Sequence, residues 1–557
     1  MSPRLVLGPM LRYAGEREAT VWVETDGPCE VEVLGHRDRT FCVEGHHYGI
    51  VCVKGLEPGS ATEYEVALDG ERRWPDPELG LPPSAIRTIR RGDPLRIAFG
   101  SCRVCAPHDG RFAERPRSRG SLGRGADALR SLALRMRDRP ELAPPHLILM
   151  LGDQVYADDV SPATRAFIRS RRDPSRPPGE EVVDFEEYAH LYLESWSEPS
   201  FRWLASTVPT AMIFDDHDVN DDWNTSRAWV DRMRRKPWWH GRIVAGLMTY
   251  WLYQHLGNLS PAELEADDLL RRVREAGDAG AVLREFSHRA DREPETARWS
   301  FSRNLGQARL VMVDSRAGRV LEEGGRSMLD EAEWAWLEGE LRGDVDHLLL
   351  GTSLPVFMPH ATHWAEALNE AVCAGALGTR AARLGERVRQ AVDLEHWPAF
   401  NESLRRLAAM IRAAGAGERG SSPASITALS GDVHFSYLAE LEYPGGGVQS
   451  AVHQAVCSPF RNPLAPPERT LMRLAAAPGT ERVIRALARR VGVPEPGVSW
   501  RLVEGQRFGN QVATMDLDGR EAVLRLEHAE PGVPGLRSSF ERRLTGDGAR
   551  SESTPRP

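Results

Sequence analysis

The chain has 557 residues, and 71 Lys and Arg against 80 Asp and Glu leave a net charge of −9. That acidic balance argues against a nucleic-acid partner, which needs concentrated basic charge, and seven cysteines are too few for a disulfide-dense secreted scaffold. The 41% apolar content suits a globular protein with a large core, and the length predicts two to four structural units.

The opening stretch, MSPRLVLGPMLRYAG, carries no small-residue cleavage site, so no targeting signal is read and the cytoplasm is the expected location. Residues 1–75 read as β. Ala19–Thr25, Glu30–Leu34, Thr40–Val43, Gly49–Val53 and Glu63–Leu68 are short segments broken by Gly, Pro and Asp. That spacing predicts a small, separable β-sandwich. Leu56, Pro58 and Tyr64 resemble the tyrosine corner of fibronectin type III domains, where a Tyr hydroxyl pins an inter-strand turn. Residues 76–93 are Pro-rich and read as a linker.

From residue 94 the pattern changes. Apolar runs at Leu95–Phe99, Leu147–Leu151, Thr210–Phe214, Leu310–Val313, Leu348–Leu350 and Ile426–Leu429 each end in a polar loop. Helical patterns lie between them, at Trp238–Leu256, Pro261–Glu275, Glu331–Leu341, Glu366–Ala391 and Asn401–Ala414, with start signals at Ser260 and Ser327–Asp330. Buried strands alternating with helices predict an α/β (α+β) domain over residues 94–535, with its site at the strand ends. No apolar run reaches the roughly 18 residues of a membrane span. Ile243–Leu256, broken by Gly246, Gln254 and His255, reads as a buried helix. Residues 536–557, Gly-, Ser- and Pro-rich from Thr545 on, read as a disordered tail.

Four strand ends carry ligand-type side chains: Phe99-Gly100-Ser101-Cys102-Arg103, Gly152-Asp153-Gln154-Val155-Tyr156-Ala157-Asp158, Asp215-Asp216-His217-Asp218, and Ser430-Gly431-Asp432-Val433-His434. A single strand-end Asp is usually a turn or helix cap. Four such loops together place carboxylates that repel one another unless cations neutralise them. Cys102 and Cys105 make a lone C-x-x-C with no second pair, so a zinc or redox role is not read there.

In that order FGSC, GDQVYAD, DDHD and SGDVH, with VDSR at Val313–Arg316 and CSPFRNP at Cys457–Pro463, resemble the alkaline phosphatase D (PhoD-like) metallophosphatases. The GDxxY element is more distantly similar to purple acid phosphatases. The resemblance implies two packed sheets flanked by helices and hydrolysis of a phosphoester, monoester or diester, by a metal-activated hydroxide. It implies Fe³⁺ at Cys102, Asp153, Tyr156 and His434. A second ion, expected to be Ca²⁺ with Mg²⁺ or Mn²⁺ as alternatives, would sit at Asp153, Asp216 and Asp432. Asn220, Asp222 or Asn224 would add oxygens. No equivalent of the purple phosphatases' extra His is evident near Thr352-Ser353.

His217, beside Asp216, is the candidate acid for the leaving oxygen. Arg103, Arg316 and Arg461 are candidate phosphate clamps, because a guanidinium fork matches phosphate oxygens. The segments Arg227–Trp239 and Trp364–Trp397 are expected to border the site. A noncatalytic phosphate-ligand binder and a β-module adhesion protein are the readings from other classes.

Overall fold

A computed structural model of the protein describes residues 2–118, 120–475, 478–533 and 535–546. The N-terminal region holds β1 (Leu5–Ala14), β2 (Glu18–Thr25), β3 (Glu30–Val33), β4 (His36–Arg39), β5 (Phe41–Val43), β6 (His46–Lys54), β7 (Ala61–Glu63), β8 (Val66–Leu68), β9 (Glu71–Trp74) and β10 (Ala85–Arg87). They form two four-stranded sheets, β1-β2-β6-β5 and β4-β3-β8-β9, plus the small pair β10-β7. β10 lies inside the segment read as a linker, and its pairing with β7 carries the β region on to Arg87.

The larger region is built on two sheets. In the first, β11 (Leu95–Gly100), β12 (Leu147–Leu151) and β13 (Thr210–Ile213) run parallel, and β21 (Gln511–Asp518), β22 (Glu521–Ala529) and β23 (Leu536–Arg543) extend it antiparallel from β11. In the second, the order is β14-β15-β16-β17-β19-β18-β20, from Phe301–Leu305, Ala308–Val313, His347–Thr352, Ser425–Ser430, Ser436–Glu442, Ala451–Val456 and Ser499–Arg507 numbered β14 to β20 in chain order. Strands such as LILML of β12 are buried on both faces, which explains their unbroken apolar sequence. One apolar core takes Ile97, Leu149 and Met515 from the first sheet and Leu310, Leu348 and Leu429 from the second.

The tail expectation fails over Leu536–Arg543, which pairs with β22 through Leu526 and Phe540; residues 547–557 lie outside the described residues. Two expected helices are broken in the middle. Asp267 caps a new helix at Leu270 N, 2.7 Å away, and left-handed Gly375 and Gly378 separate His360–Cys373 from Thr379–Ala391. Among the described residues no helix is long and apolar enough to cross a membrane.

The β region shares its core with the larger region. Leu7, Met10, Trp22, Tyr48 and Ile50 belong to the same apolar core as the two large sheets. Trp22 packs edge-on against Trp196, and the Tyr64 hydroxyl donates to Ser206 O at 2.7 Å in the larger region instead of pinning its own turn. The helix Trp239–Thr249 runs into one π-helical turn, Tyr250–Gln254, and a tight turn at His255–Asn258. Carbonyls at such an end lack helical partners. Arg12, wholly buried, donates to Tyr253 O at 2.5 Å and Gln254 O at 2.6 Å, and Arg303 donates to Gly257 O and Asn258 O at 3.1 Å.

Two outcomes follow. Chemical denaturation gives one transition for both regions, and Arg12→Met lowers stability by about 3 kcal/mol because it strands buried carbonyls; a separate early transition of the β region would contradict this. His46 bridges Glu24 at 2.8 Å and Glu186 at 3.3 Å across the junction. Burial opposes its charge, but the Glu24 bond and charge outweigh burial and raise its pKa above 6.5. A raised folded pKa means that this contribution is complete below about pH 6.5 and is lost as pH rises through the folded value. Stability measured from pH 6 to 9 therefore falls more steeply in the wild type than in His46→Gln.

Candidate metal centre

The carboxyl ends of β11, β12, β13, β15 and β17 meet where the two sheets face each other. Gly152 has φ +110°, and a Cβ there would lie 2.6 Å from the Asp215 Cβ, so only glycine lets the second and third loops approach. Ser101 Oγ accepts from Asp432 N at 2.9 Å and ties the first loop to the fourth. Cys102, Asp153, Asp432 and His434 all have left-handed backbones, with φ of 55°, 52°, 64° and 56°. Each such residue costs about 1–3 kcal/mol unless its surroundings hold it. Their N–H groups are held by Gly152 O, Asp218 Oδ2, Ser101 Oγ and Ser458 Oγ.

The structure brings Cys102, Asp153 and His434 together, with ligand atoms within 4.8 Å of one another, and likewise Asp153, Asp215 and Asp216. Asp153 is common to both groups. Cys102 Sγ lies 3.3 Å and the Tyr156 hydroxyl 3.2 Å from Asp153 Oδ2. Burial, then Asp153 and Asp432, push the Cys102 thiol far up; burial, Asp153 and Cys102 do the same to the Tyr156 phenol. Burial lowers His434 to about 4, against the pull of Asp432, so it is a neutral imidazole. Asp153 Oδ1 and Asp216 Oδ1 are buried without a hydrogen-bond donor. Buried carboxylate oxygens without donors beside a thiol, a phenol and a neutral imidazole fit a cation's needs.

Asp432 joins neither group through its carboxylate. Its Oδ2 bonds His396 Nε2 at 2.9 Å, and Oδ1 lies 4.0 Å from Arg316. Burial would raise Asp432, but the His396 bond and charge, with Arg316, hold it at about 2. His396 is anchored on its other nitrogen by buried Glu366 at 2.8 Å. The insertion ending EHWPAF thus brings an imidazole to the site, bonded on one side to Asp432 and on the other to Glu366. Of the added oxygens, Asn220 Oδ1 is taken by Arg242 at 2.5 Å, and Asn224 Nδ2 donates to Arg316 O at 3.1 Å. Asp222 N donates to Asp216 Oδ2 at 2.9 Å, and its own Oδ1 is buried without a donor.

The three arginines all make bonds within the protein. Arg316 is wholly buried among carboxylates: it bonds Asp215, lies 3.2 Å from Asp216 Oδ1 and reaches Glu395 at 2.5 Å. Arg103 pairs with Asp127 at 2.9 Å, lies over the Phe201 ring and donates to Ser195 O. Asp127 caps the helix Ala128–Asp138, so Arg103 secures a helix start. Arg461 donates to Ala106 O and Pro107 O. Each guanidinium is thus bonded to a buried acceptor of the protein, while Arg316 Nη2, beside Asp216 and Asp432, has no hydrogen-bond partner of its own.

His217 packs against Tyr156 with ring centres 4.5 Å apart and planes tilted by 32°, and its Nδ1 bonds Asp158 at 2.8 Å. Its Nε2 faces Asp221 at 3.7 Å. Burial opposes its charge, but Asp158 and Asp216 overcome that and raise it well above 6.5. Asp218 serves a different purpose. Its carboxylate accepts from the N–H groups of Asp153, Gln154, Val155 and Asp215 at 3.0–3.2 Å and so shapes two loops at once.

Comparison with known proteins agrees with this architecture. A solved structure described as "Structure of PhoD" aligns over 97% of this chain and 91% of its own, with a TM-score of 0.58 at 12% identity. A maltogenic amylase from S. marinus aligns with a TM-score of only 0.18, too low for a shared fold. No curated protein sequence gives a significant match. Residues 2–86 match a domain of unknown function, DUF7800, which spans the β region through β10. Residues 133–493, more than half of the chain, match the family model of PhoD-like phosphatases. The chain belongs to the PhoD-like phosphatase family, whose members hydrolyse phosphate esters.

Proposed function

We propose that the protein hydrolyses phosphate esters at a two-cation centre. The observation that carries this reading is Asp153, whose buried carboxylate belongs to both ligand groups and has one oxygen without a donor. Cys102, Asp153, Tyr156 and His434 would hold one ion, and their soft and anionic donors favour Fe³⁺. Asp153 and Asp216 would hold the other, Asp432 would join them through Oδ1, the oxygen that His396 leaves free, and an all-oxygen set favours Ca²⁺, or Mg²⁺ or Mn²⁺. Such a pair supplies Lewis-acid chemistry, lowering the pKa of water and neutralising charge on the phosphoryl oxygens.

The chain's own groups position and protonate. Arg316 holds Asp215 and Asp216 in place, and His396 orients Asp432. Asp158 keeps a proton on His217 Nδ1, which leaves Nε2 to give its proton to the departing oxygen. The Tyr156 ring fixes the imidazole plane.

His217→Asn retains metal and loses about 10²–10⁴-fold in kcat with alkyl phosphate esters, and less with p-nitrophenyl esters, whose leaving group needs no proton. Asp158→Asn loses in the same sense by a smaller factor. Equal losses for both leaving groups would remove His217 from proton transfer.

Purified enzyme contains two metal equivalents and loses turnover on chelation. With Fe³⁺ bound, ionised Tyr156 and Cys102 give a visible charge-transfer band that Tyr156→Phe shifts or bleaches. A colourless, fully active enzyme holding only zinc or magnesium would overturn the iron assignment, since a filled or empty d shell gives no such band.

A further inference from the structure

A basic pocket of about 340 Å³ opens beside the ligand loops, with Arg115, Pro463, Arg469, Arg473, Arg507 and His528 in its wall. Arg469 and Arg473 lie one turn apart on the helix Pro466–Ala475, a spacing that puts two like charges on one face. Arg469 donates Nε to Leu464 O at 2.7 Å, Arg473 sits 5.2 Å above the Phe508 ring, and neither forms an ion pair among the described residues. Burial, Arg115 and Arg473 all press the Arg469 guanidinium below its ordinary value. The nearby carboxylates are already shared: Glu530 faces Arg115 at 3.6 Å, Arg537 at 3.5 Å and His528 at 3.2 Å, and Glu504 takes Arg507 at 3.0 Å. The concave wall thus keeps a surplus of positive charge that costs stability unless an anion offsets it.

The pocket adjoins the proposed centre. Pro463 follows Asn462, whose amide donates to the Tyr156 hydroxyl at 3.2 Å. Gly125 and Ala126 in its wall follow Arg124, whose charge reaches His434. The wall at Pro463 is thus one residue from a side chain bonded to a proposed ligand.

We infer that this pocket receives a second phosphate-type anion of the same substrate, carried beyond the ester that is cleaved. The inference rests on the phosphoesterase reading above and narrows it to phosphoesters bearing two or more anionic groups. Paired guanidiniums match phosphate oxygens, and the gain from a second site on one molecule depends on the reach of its linker.

The test uses the full-chain metal-loaded protein and two measurements. Calorimetry compares α,ω-bisphosphonates of two to eight carbons with ethylphosphonate, and needs no turnover. One chain length binds at least about ten-fold tighter than the monophosphonate, and salt erodes that advantage. Arg469→Gln/Arg473→Gln abolishes the advantage and leaves ethylphosphonate binding unchanged, whereas Arg469→Lys/Arg473→Lys keeps part of it. Kinetics compares two p-nitrophenyl diesters of propanediol phosphate, one with a second phosphate on the far hydroxyl. The wild type favours the phosphorylated diester through KM, and the double Gln variant loses that preference with kcat/KM on the plain diester unchanged.

Equal binding of bis- and monophosphonates by the wild type would overturn the inference, even if the Gln variant failed to fold. So would free inorganic phosphate altering plain-diester turnover in the wild type but not in the Gln variant, since the pocket would then be an effector site. Loss of the bisphosphonate advantage in the variant, with no turnover by either protein, would uphold the pocket and discard the phosphoesterase reading.

Discussion

The centre depends on one guanidinium that lies wholly out of water. Two like charges about 4 Å apart repel by about 4 kcal/mol at an effective dielectric of 20. Asp153, Asp215 and Asp216 place carboxylate oxygens within 4.8 Å of one another, close enough to need compensation of that order. Arg316 supplies part of it. Burial opposes its own charge, but Asp215, Asp216 and Glu395 hold it firmly protonated. In return, Arg316 and Arg319 keep Glu395 ionised, at about 2, against the effect of burial. Bound cations would complete the neutralisation. Arg316 is thus a countercharge resident in the protein, and its removal would leave several buried carboxylates uncompensated.

A second line of contacts carries this constraint to the far end of the chain. Asp218 gathers the N–H groups of two ligand loops and also accepts from Gln254 Nε2 at 3.1 Å. Gln254 belongs to the π-helical turn, and its carbonyl is held by Arg12 of β1. Three bonded groups therefore run from the N-terminal sheet to the Asp153 loop. The β region contributes no ligand, but it stabilises the turn on which the ligand loops rest.

Much of the catalytic region was legible because strand ends advertise themselves. A buried run that ends in ligand-type side chains has few structural explanations, and four of them in order specified the family and the meeting point of Cys102, Asp153, Asp216 and His434. The protein partners of the arginines were not legible, because a guanidinium's partner is set by tertiary packing and the local sequence around Arg103, Arg316 or Arg461 does not reveal it. His396 was missed for a related reason. It lies in an insertion with no strand before it, and only the density of Trp and His in that segment hinted at involvement. The docking of the β region was hidden in LVLGPMLRYA, where Arg12 interrupts an apolar strand. A charge in such a run was the available signal that it serves a buried acceptor.

The left-handed backbones at Cys102, Asp153, Asp432 and His434 limit how this centre can diversify. Asp, Asn and His occupy that conformation more readily than other side chains, and β-branched residues scarcely do. A ligand at these positions can therefore exchange carboxylate for amide or imidazole at small backbone cost, but Val, Thr or Ile would strain the loop before any question of coordination arose. Sequence variation in the ligand set is channelled by the backbone towards changes of donor atom and away from changes of side-chain shape. A redesign of metal preference has the same narrow vocabulary: it can recast the charge of the site at fixed geometry more easily than it can move a ligand.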